Sequence, residues 1–230
     1  MSADAVSSVW IAADWPAAAN ISAGSSTRGT DLDDLFADVG SEPRWLHQVH
    51  GATVVDSSEV AFEKGPPEAD GIISSRRGEV IAIRTADCLP VQLCSVAGDE
   101  VAAVHCGWRS LAAGILANTI EKMRTPATDL LAWFGPAISQ AAFEVQDDVR
   151  DAFISVDEQA ASCFESNERG RWQADLYALA RQKLAKSGVT QIYGGGLCTY
   201  SDAERFYSYR RDGTRRRMIS FIIMMANRSG

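Results

Sequence analysis

The chain lacks several features that would place it in a specialised class of protein. Its longest apolar stretch, Phe221–Ala226, is far too short to span a bilayer. Five cysteines, an odd number scattered over 230 residues, do not indicate a disulfide framework. The first residues, MSADAVSSVWIAADW, contain neither a basic region nor a long apolar run, so we expect no signal peptide. These absences predict a cytoplasmic protein without a membrane partner.

Positive charge is also in short supply. There are 22 lysines and arginines against 30 acidic residues, which gives a net charge of −8 and a pI near 4.9. An acidic protein is a poor general binder of nucleic acid or anionic membranes, so we expect neither partner. The hydrophobic fraction of 46% is that of an ordinary globular protein. We therefore interpret residues 1–230 as a single domain with a sizeable core.

The apolar pattern predicts an α/β fold in which mixed β-sheets are flanked by helices. Strands are predicted at Glu79–Arg84, Pro90–Cys94, Val101–His105, Leu130–Phe134, Gln191–Tyr193 and Met218–Met225. Apolar residues at helical spacing predict one helix over Arg109–Arg124. A second helix is predicted over Leu176–Lys186, with Asp175 as its N-cap and Gly188 as its C-terminal stop.

Histidine is scarce, and its placement is informative. The three histidines, His47, His50 and His105, lie in the segments WLHQVHG and HCGWR, and Cys88 lies between them in TADC. Imidazole with thiolate is a ligand set that suits zinc, with copper as the usual competitor. The residues are far apart in sequence, so a site would be assembled by the fold at strand ends and could keep one position open. The alternative is that they are simply buried, as we expect for Cys94, Cys163 and Cys198.

Several motifs resemble those of the polyphenol oxidase (laccase-domain) family, also described as purine nucleoside phosphorylases and as a peptidoglycan editing factor. The first are QVHG at Gln48–Gly51, AD-G-I at Ala69–Ile72, TADC-P at Thr85–Pro90 and HCGWR at His105–Arg109. Others are GPAISQAAFEV at Gly135–Val145, CT at Cys198–Thr199 and FYSYRRDGTRRRM at Phe206–Met218. The resemblance implies a zinc ion held by His50, Cys88 and His105, with Cu²⁺ as a competitor.

The resemblance also implies an activity. It points to a zinc-dependent purine nucleoside phosphorylase with adenosine deaminase and methylthioadenosine phosphorylase side activities. The implied partners are purine nucleosides and phosphate, with a peptidoglycan precursor as a further suggestion. The older label of laccase fits the sequence poorly, because a four-copper laccase needs about ten histidine ligands and this chain has three.

Residues around the ligands suggest catalytic roles. Asp87, next to Cys88, is our first candidate for proton transfer, with turn capping as the alternative. Arg109 follows His105 at a predicted helix start, where backbone N–H groups favour anions, and is assigned to phosphate. Four further residues from the motif segments are predicted to bind substrate: Arg28, Gln48, Arg210 and Arg211. For the arginines the alternative is a solvated charged loop.

His47 is expected to stay outside the ligand set. The segment from Val49 onwards is predicted to be extended, which would place residues 47 and 50 on opposite faces. The sequence also departs from the family pattern, since an Asn-Leu-Gly segment is missing after STR at Ser26–Arg28, and Ser110 and Arg216 replace expected glycines.

Two other functions stay open. Cys88 could be a nucleophile activated by His105 in a Cys–His hydrolase or transferase. The chain could also be an editing or regulatory protein that binds a muropeptide or nucleotide without turnover.

Overall fold

The computed structural model describes residues 10–37 and 42–226. Its strands are β1 (Trp10–Ala12), β2 (Ile21–Ser26), β3 (Val54–Asp56), β4 (Gly71–Ser74), β5 (Val80–Thr85), β6 (Leu89–Ser95), β7 (Val101–Cys106), β8 (Leu130–Phe134), β9 (Glu144–Val145), β10 (Phe164–Ser166), β11 (Trp172–Ala174), β12 (Gln191–Gly194) and β13 (Met218–Met224). Its α-helices are α1 (Leu32–Ala37), α2 (Trp108–Ala112), α3 (Ile115–Lys122), α4 (Asp147–Ile154), α5 (Leu176–Lys186) and α6 (Tyr209–Asp212). Short 3₁₀ helices occupy Ser57–Glu59, Phe62–Lys64, Ala127–Asp129, Gln140–Ala142 and Glu158–Cys163.

Two sheets form the body of the structure. The larger is mixed, in the order β12-β8-β6-β7-β4-β3, with β12 parallel to β8 and β3 parallel to β4. The second is antiparallel, in the order β1-β2-β13-β5. A third, small antiparallel sheet has the order β10-β11-β9. The fold class predicted from sequence, α/β with mixed sheets and flanking helices, is confirmed.

The two main sheets pack in layers because successive side chains along a strand point to opposite faces of its sheet. In β7, Ala102 and Val104 pack in the core that α2 to α5 cover, whereas Val101 and Ala103 pack against the antiparallel sheet. The central strands are buried on both faces, which explains their nearly continuous apolar sequences. The far face of the antiparallel sheet packs against Leu35 of α1. No helix in the described ranges is long and apolar enough to cross a membrane.

Most predicted elements are confirmed. The strand Leu130–Phe134 and the helix Leu176–Lys186 match at both ends, and Asp175 caps that helix by accepting a hydrogen bond from the Ala178 amide at 2.9 Å. The single helix predicted over Arg109–Arg124 is wrong. It is divided into α2 and α3 at Gly114, whose φ of 89° lies in the left-handed region that ends a helix.

Candidate metal centre and the cavities around it

The three predicted ligands converge on one point. The ligand atoms of His50, Cys88 and His105 all lie within 4.8 Å of one another, and Cys88 Sγ is 3.8 Å from His50 Nε2. A tetrahedral zinc ion separates its nitrogen and sulfur ligands by about 3.6 Å. Exposure falls from His50, which is exposed, to His105, which is 3% exposed. The donor set therefore fits one ion, reached from the His50 side.

Strand ends place two of the ligands. His105 is the penultimate residue of β7 and pairs with Pro90 of β6, so Cys88, just before β6, lies beside the end of β7. The turn carrying Cys88 connects β5 in the antiparallel sheet to β6 in the mixed sheet. The site thus lies where the two sheets meet, at strand ends, as the sequence predicted.

Asp70 holds the other side of the site together. Its Oδ1 lies 2.7 Å from His105 Nδ1, which leaves the Nε2 of that ring for a metal. The carboxylate also accepts hydrogen bonds from the amides of Val49, His50 and Gly51 at 3.2, 3.0 and 2.7 Å. These amides form a turn in which His50 has a left-handed φ of 60°.

Sequence reasoning did not name Asp70 as a site residue, although it lies in the AD-G-I motif. The available signal was an aspartate directly before the apolar run Gly71–Ile73, since a carboxylate buried at such a position needs hydrogen-bond partners. Burial raises the pKa of Asp70, but its hydrogen bonds with His105 and Gly51 outweigh burial and leave that pKa below its ordinary value. Asp70 is therefore a charged acceptor that orients His105.

Cys88 and His105 stabilise each other's charged forms. Burial raises the pKa of Cys88, but the charge and hydrogen bond of His105 outweigh burial, so the pKa of this thiol falls below its ordinary value. Burial lowers the pKa of His105, and the neighbouring Cys88 and Asp70 reverse that effect and raise it. Thiolate is the form of cysteine that binds metal, so this environment favours metal binding at Cys88.

Gly107 allows the ligands to approach. A Cβ atom at this position would lie 2.9 Å from His50 Cδ2 and 3.1 Å from Cys88 Sγ. The φ of Gly107 is −63°, so the requirement for glycine is steric and does not come from the backbone conformation. The glycine of the HCGWR motif is thus explained by the crowding of the cluster.

The structure keeps His47 out of the cluster. Its ring is exposed, its Nδ1 lies 3.9 Å from Glu68 Oε1, and its backbone forms an isolated bridge with Glu68. The extended conformation expected for this segment is wrong at His50, because the amides bound by Asp70 bend the chain there.

Two cavities open beside the cluster. The larger has a volume of about 610 Å³ and is lined in part by Gln48, Arg84 and Arg217. The smaller, of about 300 Å³, is lined in part by Asp87, Arg109 and Arg210. Four residues line both cavities: His50, Ala86, Cys88 and Tyr209. The candidate metal centre and Tyr209 therefore form the boundary between two compartments.

The Arg109 guanidinium makes few contacts with the rest of the protein. Its guanidinium lies over the Trp108 ring at 4.3 Å and makes no hydrogen bond or ion pair within the described ranges. The Arg210 guanidinium donates one hydrogen bond, from Nη1 to the Glu144 carbonyl at 2.9 Å. The anion-binding helix start expected at Arg109 is not supported, since α2 has five residues.

Gln48 and Arg28 contact other parts of the protein. The Gln48 side-chain amide donates to the Arg84 carbonyl and accepts from the Arg84 amide, both at 2.8 Å, so it holds Arg84 in the larger cavity. Arg28 donates to the Ala203 carbonyl at 2.6 Å and lies over the Tyr207 ring. Arg28 lines neither cavity, so its predicted contact with substrate has no support in this structure.

Arg211 stabilises its own loop. Its guanidinium donates to the carbonyls of Thr199, Tyr200 and Phe206 at 2.7 to 2.9 Å and also binds the carboxylate of Asp212. All three nitrogens of the guanidinium are thus occupied within residues 199–212. Substrate binding by Arg211, as predicted from sequence, is not supported by this geometry.

Two of the three departures from the family pattern are single residues, Ser110 and Arg216. Ser110 is fully buried in α2, and its hydroxyl has no hydrogen-bond partner among the described residues. Arg216 is exposed and lies 5.9 Å from the centre of the Tyr207 ring. Neither residue lines the two compartments.

All five cysteines are free. Cys94 and Cys163 are buried, as expected from sequence, but Cys198 is only half-buried.

Comparison with known proteins identifies the family. The sequence model of a family described as multi-copper polyphenol oxidoreductase laccase matches residues 31–225. The chain belongs to this family. Its three histidines all lie in the described part of the chain, and only two of them join the cluster, so the chain has too few histidines for a four-copper centre.

Relatives of this chain carry a different functional name. A purine nucleoside phosphorylase of Pseudomonas aeruginosa is 41% identical over 239 residues, covering 93% of this chain and 97% of the relative. The Escherichia coli K12 purine nucleoside phosphorylase YfiH is 48% identical over 190 residues, covering 82% and 77%. A crystal structure of a Neisseria meningitidis protein has a TM-score of 0.89 at 40% identity, covering 95% of this chain and all of that one. These names give no support to a peptidoglycan precursor as partner.

Proposed function

We propose that this chain is a zinc-dependent purine nucleoside phosphorylase of the cytoplasm. The proposal rests mainly on the boundary between the two compartments. His50, Cys88 and His105 meet there, and Arg109 lies unpaired in the smaller compartment. Relatives that are 41% and 48% identical bear this name. The five free thiols are consistent with a reducing compartment.

The reaction requires two substrates side by side. A phosphate oxygen forms a bond to C1′ of the ribose, the bond between C1′ and the purine nitrogen breaks, and the purine leaves with a proton. Arg109 and Arg210 would hold the phosphate in the smaller compartment, since a guanidinium binds phosphate through two parallel hydrogen bonds. The larger compartment would then take the nucleoside, for which 610 Å³ is sufficient.

The metal would be held by His50, Cys88 and His105, with His105 oriented by Asp70. When bound there, zinc would supply Lewis acidity. Cu²⁺ binds nitrogen and sulfur ligands more tightly than Zn²⁺, so it is the competitor to measure.

The same site would support two side activities. Methylthioadenosine undergoes the same phosphorolysis as other purine nucleosides. Deamination of adenosine exchanges the exocyclic amine for oxygen from water and releases ammonia, so it needs no phosphate. Phosphate dependence therefore separates the phosphorolytic from the hydrolytic activity.

The test combines elemental analysis with a substrate panel. We expect about one zinc per chain, and release of free base from inosine and methylthioadenosine only when phosphate is present. Cys88→Ser should lose both metal and base release. Base release that does not depend on phosphate, or full activity in metal-free protein, would contradict the proposal.

A further inference from the structure

Asp87 occupies an unusual position in the turn before Cys88. It is 9% exposed and has a left-handed φ of 90°, which aspartate tolerates better than most side chains. Backbone in this region persists only where the surroundings hold it. The partners of Asp87 show what holds this turn.

Both carboxylate oxygens of Asp87 are bonded to distant parts of the chain. Oδ1 accepts a hydrogen bond from Thr199 Oγ1 at 2.6 Å, and Oδ2 accepts one from the Arg210 amide at 2.7 Å. The Asp87 carbonyl accepts another from the Ile138 amide at 3.0 Å. One residue thus joins the turn carrying a metal ligand to two other segments.

The segment bound by Asp87 is held together internally. Arg211 donates to the carbonyls of Thr199 and Phe206, and Ser208 caps α6 by accepting from the Arg211 amide at 3.1 Å. Residues 199–212 therefore behave as one unit, and fixing Thr199 and Arg210 fixes its whole position.

This unit carries the residues that face the two compartments. Tyr209 is 61% exposed and lines both compartments, and Arg210 lines the smaller one. The Arg210 amide bound by Asp87 belongs to the residue immediately after Tyr209. A shift of this contact would therefore move both side chains relative to Cys88.

We infer that Asp87 is a positioning residue that fixes Tyr209 and Arg210 against the metal cluster, and that it does not transfer protons in the reaction. The inference rests on the proposed function, because the side chains of Tyr209 and Arg210 are taken to bind the nucleoside and the phosphate. It differs from the proton-transfer role expected from sequence because both oxygens of the carboxylate already accept hydrogen bonds from the protein.

The decisive comparison is between Asp87→Ala and Asp87→Asn. Asparagine has no basic carboxylate, but its oxygen can accept from the Arg210 amide and its NH₂ can donate to the Thr199 hydroxyl, which also accepts. We expect Asp87→Ala to raise KM for inosine and phosphate roughly ten-fold or more, with a smaller change in kcat. Asp87→Asn should restore most of this loss.

Thr199→Val provides a second variant. It keeps the volume of the buried side chain and leaves the Asp87 carboxylate intact, but removes one of its two contacts. A positioning role predicts an intermediate rise in KM. The zinc content of all three variants should stay at the wild-type value.

A structural readout should accompany the kinetics. Hydrogen exchange of the Arg210 amide should be slow in the wild type and Asp87→Asn, and faster in Asp87→Ala. Two results would overturn the inference: Asp87→Asn as inactive as Asp87→Ala with a protected amide, or Asp87→Ala that keeps the wild-type KM values.

The proposed function can fail separately. If the wild type cleaves neither inosine nor methylthioadenosine, that function is wrong, and equilibrium binding of inosine to the same variants decides the positioning role. Unchanged binding in Asp87→Ala would then refute it, and weaker binding restored by Asp87→Asn would support it. A wild type that neither cleaves nor binds inosine would overturn both.

Discussion

At the scale of single residues, the candidate metal centre depends on residues that bind no metal. Asp70 fixes the ring of His105 and the turn at His50 through four hydrogen bonds. Gly107 leaves the space that the rings and the thiolate occupy. Such surrounding contacts commonly change metal affinity 10- to 100-fold, so they can be tested separately from the ligands.

Gly107→Ala should weaken metal binding. The added methyl group would lie 2.9 Å from His50 Cδ2, so the histidine must move away from the position that suits a shared ion. We expect an affinity for zinc lower by about 10- to 100-fold, measured by competition with a chromogenic chelator.

Gly51→Ala is the matched control, since a Cβ there would meet its nearest neighbours at an ordinary 3.6 Å. It lies beside the ligand His50 but should leave zinc affinity nearly unchanged. Equal losses in both variants would mean that the crowding at Gly107 has no special effect.

Arg109→Ala should raise the phosphate requirement of the proposed phosphorylase. Removing one charge-assisted hydrogen-bonding group costs about 1.5–3 kcal/mol, which is roughly ten- to a hundred-fold in affinity or rate. The measurement is initial rate against phosphate concentration, with zinc content checked in parallel.

Deamination of adenosine should suffer less in Arg109→Ala, because it uses water. Arg216→Ala is the control, since this exposed arginine lines neither compartment. Equal loss of both activities in Arg109→Ala would assign Arg109 to the nucleoside or to the fold.

At the scale of elements, the local sequence pattern was enough to predict a helix or strand where the sequence marks both of its ends. The helix Leu176–Lys186 has an aspartate cap before it, and its apolar residues recur at helical spacing. The helix predicted over Arg109–Arg124 failed because apolar periodicity continues across Gly114, while the backbone does not. Periodicity reports the buried face, and it does not detect a change in helix direction.

The contacts of the site were less predictable than its ligands. Asp70 meets His105 across 35 residues of sequence, and Asp87 meets Thr199 and Arg210 across 112 and 123. No local rule relates such positions, because the approach of distant strands and loops sets them. The arginines show the same limit, since composition could not separate Arg211, which binds its own loop, from Arg210.

Gly114→Ala should destabilise the fold. Nothing lies within 4 Å of the added methyl group, so the cost comes from holding a non-glycine residue at a φ of 89°. We expect a loss of about 1–2 kcal/mol in the free energy of unfolding, measured by denaturant titration.

Gly29→Ala is the control for Gly114→Ala, because Gly29 has equally open surroundings and no positive φ. Its free energy of unfolding should change by less than about 0.5 kcal/mol. A Gly114→Ala protein as stable as the wild type would show that the break between α2 and α3 does not depend on glycine.

At the scale of the whole molecule, the centre joins parts that are otherwise separate. Cys88 follows a strand of the antiparallel sheet, His105 lies next to the last residue of a strand of the mixed sheet, and His50 lies in a turn held by Asp70. An ion bound by all three would link the two sheets in the folded state only. Metal binding should therefore stabilise the molecule by mass action.

Removal of the metal should lower the melting temperature and expose Cys88. At a zinc concentration a thousand times the dissociation constant, binding contributes about 4 kcal/mol, so chelation should lower Tm by on the order of 10 °C.

Alkylation of Cys88, followed by mass spectrometry, should be slow in the loaded protein, because a metal-bound thiolate is a weakened nucleophile. It should accelerate after chelation, since the lowered pKa of this thiol leaves a thiolate beside His105. Added Zn²⁺ should restore both Tm and activity. If the untreated, fully active protein holds no metal and Cys88 is alkylated at once, a Cys–His hydrolase or transferase becomes the better account of this site.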